Sequence, residues 1–548
     1  MTLGKGSGRI VQFFIHLGAV FAGAILFAAA FPNPVVEDGL PLLAWIAYIP
    51  VFWLINRVSF GACFLWGALY GYTAYGLFNY WLSVFHPLAG LIVGAIYLVY
   101  FTFLFPLFKI AVLLFKKRGY MVQFLMWMSF EYLRTQGFLG YSYGITGYSQ
   151  WKILPVIQIA DIFGVWGVSA LAVFPSVYIA AGIKEAGTEF KKIPACLRAF
   201  AKKEWAPLGV WLAALILTLI YGIVSPIRYE DAQHARIALI QHNTDPWLGG
   251  IEEYRKNFEV LRRLSDEALR NDPKPDMVVW SETAFVPRIY WHKTYRDDHE
   301  FYVLVKELLD YLAVQDVPFV IGNDDARKDA GKNPDPYDNY RIDYNAVMLF
   351  ERGEITKLYR KLHLVPFTEY FPYQKQFPSI YQALKNADTH FWEKGNEATV
   401  FEYKGLKFST PICFEDTFGY LSRNFVRNGA GLIVNLSNDA WSKSLPAQNQ
   451  HLSMAVFRSV ENRRSMVRST ASGQTCGIDP NGKILAMAKP FTESYLTVSV
   501  PVVSPSAFYT RYGDFLPLIC MGILVSILII GFILFIIRLI KTGNTGKG

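Results

Sequence analysis

LKFSTPICFED, residues 406–416, is the stretch on which the reading of this chain turns. A β-type run, LKFSTPI, ends at Cys413, so the thiol sits where a strand runs out rather than in the middle of an apolar element. Two other stretches end in the same way. MVVWS is a short apolar run of the buried-strand type that ends at Glu282. ITKLYR, residues 355–360, closes a β pair just before Lys361. An acid, an ammonium and a thiol at three strand ends suit covalent acyl transfer. A carboxylate can take the thiol proton, the thiolate can attack a carbonyl, and an ammonium can meet the oxyanion.

Outward from these sites, residues 235–500 mix short β runs, charged helices and turn dipeptides, a soluble α/β pattern. Strands are predicted at 237–241, 277–280, 318–322, 346–350, 399–403, 407–412, 431–435 and 475–478. Arg352-Gly353, Lys404-Gly405 and Asn481-Gly482 fall between β runs as tight hairpin turns. Alternating strands and helices with interposed hairpins predict a layered α/β sandwich.

On both sides of this domain the chain changes character. With 53% apolar and 16% aromatic residues it is too greasy for a soluble enzyme. Apolar runs of bilayer length occur at 10–31, 59–82, 88–115, 162–183, 206–224 and 515–537. Weaker runs at 41–55 and 120–137 raise the expected count to eight helices. The first run lacks a small-residue cleavage site and is read as a retained helix. Basic residues alternate between connections: Lys5 and Arg9, then Arg57, then Lys116, Lys117 and Arg118, then the cluster from Lys184 to Lys203, then Arg538 and Lys541. The intervening connections carry Glu37 and Asp38 or the uncharged turn at His86. This positive-inside pattern predicts both termini in the cytoplasm and the long segment outside. It also explains the net charge of +9 without nucleic acid. The expected domains are 1–224 for about seven membrane helices, 225–514 for the catalytic domain and 515–548 for the last helix and a short tail.

The strings WSETAF around Glu282, YRKLHLVPFTEYFP around Lys361 and PICFED around Cys413 resemble the three catalytic motifs of the nitrilase, or carbon-nitrogen hydrolase, superfamily. Their HLVPF and EYFP flanks resemble the apolipoprotein N-acyltransferases specifically. The resemblance implies an αββα nitrilase-like domain inserted before the last of eight helices in the bacterial inner membrane, facing the periplasm. It implies Glu282 as general base, Lys361 as oxyanion stabiliser and Cys413 as acyl-accepting nucleophile. It also implies Glu369 as the carboxylate that orients Lys361, Glu415 as a residue shaping the site, Trp247 as an aromatic near the substrate entrance and Asn345 as a polar site residue. Two positions depart from the family pattern: Phe414 stands where tyrosine is usual and Thr368 where glycine is usual. A phenol beside the nucleophile is therefore missing, while Phe414 keeps its backbone N–H as a donor.

The implied reaction moves a fatty acyl chain from a phospholipid through a Cys413 thioester to the α-amine of a lipoprotein's S-diacylglyceryl-cysteine, with no cofactor. A monomer is the expected state. From residue chemistry alone, the conclusion stops at a cysteine acyl-transfer enzyme held against a membrane. A membrane-anchored amidase using water, or a transporter or scaffold with an inactive nitrilase-like domain, stay open at that level.

Simpler roles compete for several residues. Cysteine is sparse (63, 196, 413, 476 and 520), and the rival for Cys413 is a disulfide with Cys476. His363 is expected to pack rather than to pair with the thiol. His242, His390 and His451 lack ligand spacing, so no metal is expected. Glu131, Arg134 and Asp161 border membrane runs, where charge is costly and often functional. The aromatic stretches 285–302 and 367–392 are expected as membrane-facing loops, against the alternative that they fill the sandwich core.

Overall fold

A computed structural model describes residues 5–85, 89–333, 339–386 and 389–544. The turn expected at His86 lies outside the described residues. The chain folds as two units, one of Met1–Gln136, Gly140–Ser225 and Asp514–Gly548, the other of Gly137–Leu139 and Pro226–Gly513.

The first unit is helical. Among the described residues, five stretches are long and apolar enough to cross a membrane: Gly8–Ala30, Ala89–Leu133, Val165–Gly182, Trp205–Val224 and Phe515–Ile533. Eight are not reached by this measure, for identifiable reasons. Phe60–Phe78 is a continuous helix, but its tyrosines and glycines lower its hydropathy. The run at 41–55 breaks into a 3-10 turn, Pro41–Trp45, and a short helix, Ile49–Arg57. Gly119–Leu133 is a helix of 15 residues, shorter than a span needs. Helix Phe60–Phe78 packs against Ala89–Phe115 with backbones in contact. A Cβ at Gly67 would lie 2.2 Å from the Phe101 carbonyl oxygen, and one at Gly71 would lie 2.3 Å from that of Tyr97. Glycines one helical turn apart are what permit that approach.

The charges bordering the membrane runs are buried within the protein. Glu131 accepts hydrogen bonds from the Thr146 N–H (3.0 Å) and the Trp127 indole (3.2 Å). Arg134 donates to the Tyr97 hydroxyl (2.7 Å) and the Tyr143 carbonyl (2.8 Å). Asp161 accepts from the Tyr221 hydroxyl at 2.8 Å. Each charge thereby has polar partners inside the protein, as burial favours.

The second unit is an α/β sandwich of two six-stranded sheets. Its strands are β1 (His234–Gln241), β2 (Met277–Trp280), β3 (Phe319–Lys328), β4 (Arg341–Glu351), β5 (Glu354–Arg360), β6 (Val400–Tyr403), β7 (Leu406–Ser409), β8 (Leu432–Ser437), β9 (Ser465–Thr470), β10 (Cys476–Ile478), β11 (Ile484–Met487) and β12 (Ser494–Pro501). One sheet runs β12-β1-β2-β3-β4-β5 and the other β11-β10-β9-β8-β7-β6. Within each, three neighbouring strands are parallel, β1-β2-β3 and β7-β8-β9, and the flanks are antiparallel. Helices Ile251–Leu269 and His299–Ala313 cover the first sheet, where Phe258, Leu261, Leu304 and Leu308 bury against Ile240, Val278 and Trp280. The sheets meet face to face, and the Ser469 hydroxyl of β9 donates to the Val279 carbonyl of β2 at 3.1 Å. Arg352-Gly353 and Lys404-Gly405 each form two-residue hairpins with both residues at positive φ, as their sequences predict.

All eight predicted strands are present, Met277–Trp280 with its predicted ends and the others with shifted ones. β3 and β4 run well beyond their apolar cores, because they continue as a ten-residue-pair antiparallel ladder from Phe319 opposite Phe350 to Lys328 opposite Arg341. β9 was invisible to apolar patterning: it carries Arg468, fully buried, in the interior of the second sheet.

Candidate active site

The three predicted residues converge at the strand ends of one face of the sandwich unit. Glu282 follows β2, in a turn whose next residue, Thr283, has φ +48°. Lys361 follows β5, its backbone anchored by an N–H bond to the Asn345 carbonyl (2.8 Å). Cys413 starts the 3-10 turn Cys413–Thr417 beyond β7 and itself has φ +47°. A β-carbon in that left-handed region costs of order 1–3 kcal/mol and needs support from the surroundings.

Glu415 supplies that support. Its Oε1 accepts from the backbone N–H groups of Leu362 (2.7 Å) and His363 (2.9 Å), and its Oε2 from that of Ile412 (2.8 Å). The Tyr359 hydroxyl donates to the same carboxylate at 2.8 Å. One buried side chain thus ties the lysine loop to the residue before the nucleophile. Burial pushes its carboxyl up to about 7, against the pull of these donors.

Lys361 has no exposed surface and lies between two carboxylates, Glu369 Oε1 at 2.8 Å and Glu282 Oε1 at 3.3 Å. Glu369 is steadied through its other oxygen by the Val365 N–H (2.8 Å). Glu282 also accepts from Asn345 Nδ2 (2.8 Å) and the Asn438 backbone N–H (3.0 Å). Burial alone would depress the ammonium, but Glu282 and Glu369 outweigh it and hold Lys361 well above the ordinary lysine range. Burial and Glu282 push the Cys413 thiol up, and Lys361 offsets only part of this. Two carboxylates face one ammonium, so the pocket carries a net negative charge and disfavours a standing thiolate.

Of the further predicted residues, Glu369, Glu415 and Asn345 join this cluster. Phe414 turns its ring into an aromatic group with Phe418 (centroids 5.0 Å) and His363 (5.8 Å). His363 packs, stacking on Phe418 at 3.9 Å. Trp247 is largely exposed on the loop after β1, with its N–H bonded to Asp245. Cys413 and Cys476 are both free thiols. The aromatic stretches divide: Phe285, Ile289 and Trp291 are buried and fill the core, whereas Tyr373, Phe377 and Ile380 are exposed. The first stretch is held inward by Asn323, which accepts from the Ile289 N–H (3.0 Å) and donates to the Phe285 carbonyl (2.6 Å).

Sequence spacing missed two groups. The Asn438 backbone donor arises only from the stacking of the two sheets, which brings the residue after β8 to the Glu282 carboxylate after β2. His390, which has no ligand spacing in the sequence, folds beside Asp324 and Asp343, the three offering ligand-type atoms within 4.8 Å of one another. Arg288 already holds Asp343 through two N–H bonds (3.2 and 3.0 Å), and Trp392 donates to Asp324 (3.1 Å), so this cluster is compensated by protein groups.

The carbon-nitrogen hydrolase family matches residues 236–506, and the apolipoprotein N-acyltransferase N-terminal domain matches residues 22–178. Apolipoprotein N-acyltransferase 1 of Treponema denticola is 45% identical, over 94% of this chain and 96% of its own length. The chain belongs to the apolipoprotein N-acyltransferase family. Apolipoprotein N-acyltransferase 1 of Treponema pallidum is 44% identical over 92% of this chain and 93% of its own length. Among solved structures, Nit3 of Saccharomyces cerevisiae, a nitrilase superfamily member, aligns with 52% of this chain and 95% of its own at 18% identity and a TM-score of 0.35. As an apolipoprotein N-acyltransferase, the protein is an acyltransferase with long apolar helices followed by a nitrilase-like α/β domain.

Proposed function

We propose that the domain of residues 225–514 performs a two-step transfer on Cys413. In the first step Glu282 takes the thiol proton as the sulfur attacks a phospholipid ester carbonyl. The C–S bond forms, the ester C–O bond breaks, and the lysophospholipid leaves with the proton that Glu282 returns. In the second step the α-amine of an S-diacylglyceryl-cysteine attacks the thioester. The C–N bond forms, the C–S bond breaks, and the sulfur recovers its proton. Lys361, oriented by Glu369, meets the negative oxygen in both tetrahedral stages, with the Phe414 backbone N–H as a second donor.

The observation that carries this reading is the Lys361 ammonium, fully buried between Glu282 and Glu369 beside the thiol. A buried cation with two acid partners is a poor way to stabilise a fold and a good way to hold charge for an oxyanion. Because the thiol is pushed up, ionisation is coupled to attack and to proton transfer onto Glu282, which protects the sulfur between turnovers. Asn345 and the Asn438 N–H keep Glu282 aimed, and Trp247 and the exposed aromatics at 373–380 suit contact with acyl chains at a bilayer surface.

The alternation of basic connections favours residues 1–224 and 515–548 as the inner-membrane part, about seven helices and one, with the catalytic domain periplasmic, and membrane anchoring suits a monomer. A membrane-anchored amidase would use the same first step with water as acceptor. Incubation of the purified protein with phospholipid, followed by intact and peptide mass spectrometry, tests the reading. An acyl mass on the Cys413 peptide that persists until an amine acceptor is added supports it. No acyl mass, or a thioester lost to water alone, refutes it.

A further inference from the structure

A second polar cluster, unused by the steps above, meets the nucleophile from its own sheet, opposite the sheet that carries Glu282 and Lys361. Ser437 ends β8, Asp439 opens the 3-10 turn Asp439–Ser442, His451 lies on helix Leu445–Asn462, Asp416 lies in the nucleophile's own turn, and Arg468 lies on β9. Every one of these side chains is buried. Ser437 lies beside Cys413 across the parallel β7–β8 register, one residue beyond the bridge between Ile412 and Leu436, and its hydroxyl donates to Asp439 Oδ1 at 2.9 Å. His451 places Nδ1 3.1 Å from Asp439 Oδ1 and Nε2 2.6 Å from Asp416 Oδ1. Arg468 pairs with Asp416 and lies 3.5 Å from Asp439 Oδ2.

A histidine with a carboxylate at each ring nitrogen donates from both, which requires the imidazolium. Two carboxylates, one imidazolium and one guanidinium then sum to zero. The charged groups facing Cys413 are Glu282, Lys361 and Asp439, with Arg468 beyond. Those facing His451 are Asp416, Asp439 and Arg468. Cys476, next to Arg468, is a neutral thiol pushed up to about 12 by burial. Ser437 has one proton to give. While Cys413 is a thiol that proton belongs to Asp439, and once the thiol has passed its proton to Glu282 the hydroxyl can turn to the sulfur anion.

We propose that Ser437, Asp439 and His451 are positioning residues for Cys413: Ser437 switches its hydroxyl from Asp439 to the ionising sulfur, and His451 keeps the cluster behind it neutral. This rests on Cys413 being the nucleophile. Removing the imidazolium would leave one uncompensated negative charge behind the sulfur and so oppose its ionisation. A purely structural role would give the opposite sign, since loosening a buried site speeds its chemical labelling.

The test is the rate of Cys413 alkylation by iodoacetamide at pH 8, read on the Cys413 peptide in the detergent-purified full chain. His451→Gln is expected to slow alkylation about tenfold, the effect of about one unit in the thiol's pKa. Adding Asp439→Asn to it restores neutrality and should return the rate to within about threefold of wild type. Ser437→Ala, which changes no charge, should also slow alkylation. The proposal is overturned if His451→Gln is unchanged or faster, or if the double variant is slower than His451→Gln alone. Should His451→Gln fail to fold, an unslowed Ser437→Ala overturns it by itself. The nucleophile reading fails separately, if wild-type Cys413 never gains an acyl mass from phospholipid.

Discussion

Replacing Glu282 by glutamine separates the two jobs assigned to charge at the site. Every group around Glu282 is a donor: Asn345 Nδ2 and Lys361 Nζ on Oε1, and the Asn438 N–H on Oε2. A glutamine must turn its NH₂ towards one of these sides, leaving a buried donor unpaired, so the fold should lose about 1–3 kcal/mol. Acyl-enzyme formation should lose more. Without a proton acceptor the rate should fall about 10²- to 10⁴-fold, or roughly 3–5 kcal/mol in the barrier. The removed carboxylate is also one that holds the thiol up. In its absence alkali should ionise Cys413 more readily, and the rate should climb with pH towards wild type. Lys361→Met should lose about 10²- to 10³-fold by removing the charge that meets the oxyanion, and alkali cannot replace that charge. The assay is thioester formation from a labelled phospholipid between pH 6 and 10 in wild type and both variants, with thermal unfolding followed in parallel. Equal rescue of both variants, or of neither, would refute the division of roles.

Other consequences can be checked alongside. Cys413→Ala should abolish transfer in a folded protein, whereas Cys476→Ser should leave thioester formation nearly intact, measured with the same labelled lipid. Glu415→Ala should cost several kcal/mol, because it strands the N–H groups of Leu362, His363 and Ile412, each worth about 1–3 kcal/mol when buried and unpaired; calorimetry that finds it neutral would remove the clamp. His451 is pushed up to about 9, because Asp416 and Asp439 outweigh the burial that alone would lower it. A raised group stabilises fully below its unfolded value, about 6.5, and that contribution disappears as pH rises through 9. The melting temperature of wild type should therefore exceed that of His451→Gln at pH 6 by more than at pH 10. Impermeant amine labels on intact spheroplasts should reach residues 225–514 and miss the loop from Lys184 to Lys203, and the reverse pattern would overturn the membrane orientation.

Much of this was legible in the residues. The hairpins at Arg352-Gly353 and Lys404-Gly405 and the buried strands β2 and β8 follow from local backbone preference and apolar runs, which act over a few residues. Glu282, Lys361 and Cys413 were legible because each ends a strand inside an extended motif. Where local pattern and burial disagreed, burial won. The stretch from Phe285 to Trp291 has the composition of an interfacial loop, yet Asn323 and the core of the first sheet draw it inward. The count of membrane helices likewise depends on how Phe60–Phe78, with its close-packed glycines, is credited.

Residue chemistry by itself determined an α/β domain inserted in apolar helices, with an acid, an ammonium and a thiol at strand ends. Only the tertiary structure decided their electrostatics. Lys361 could be placed beside Glu282 only after the antiparallel ladder of β3, β4 and β5 was laid against β2, and Ser437 beside Cys413 only after the parallel strands β7 and β8 were paired. Arg468 and His451 gave no signal at all, because a buried charge looks like a solvated one until its partners, Asp416 and Asp439, are seen around it. Patterning records which faces avoid water; which charges meet inside is set by contacts between residues far apart in sequence.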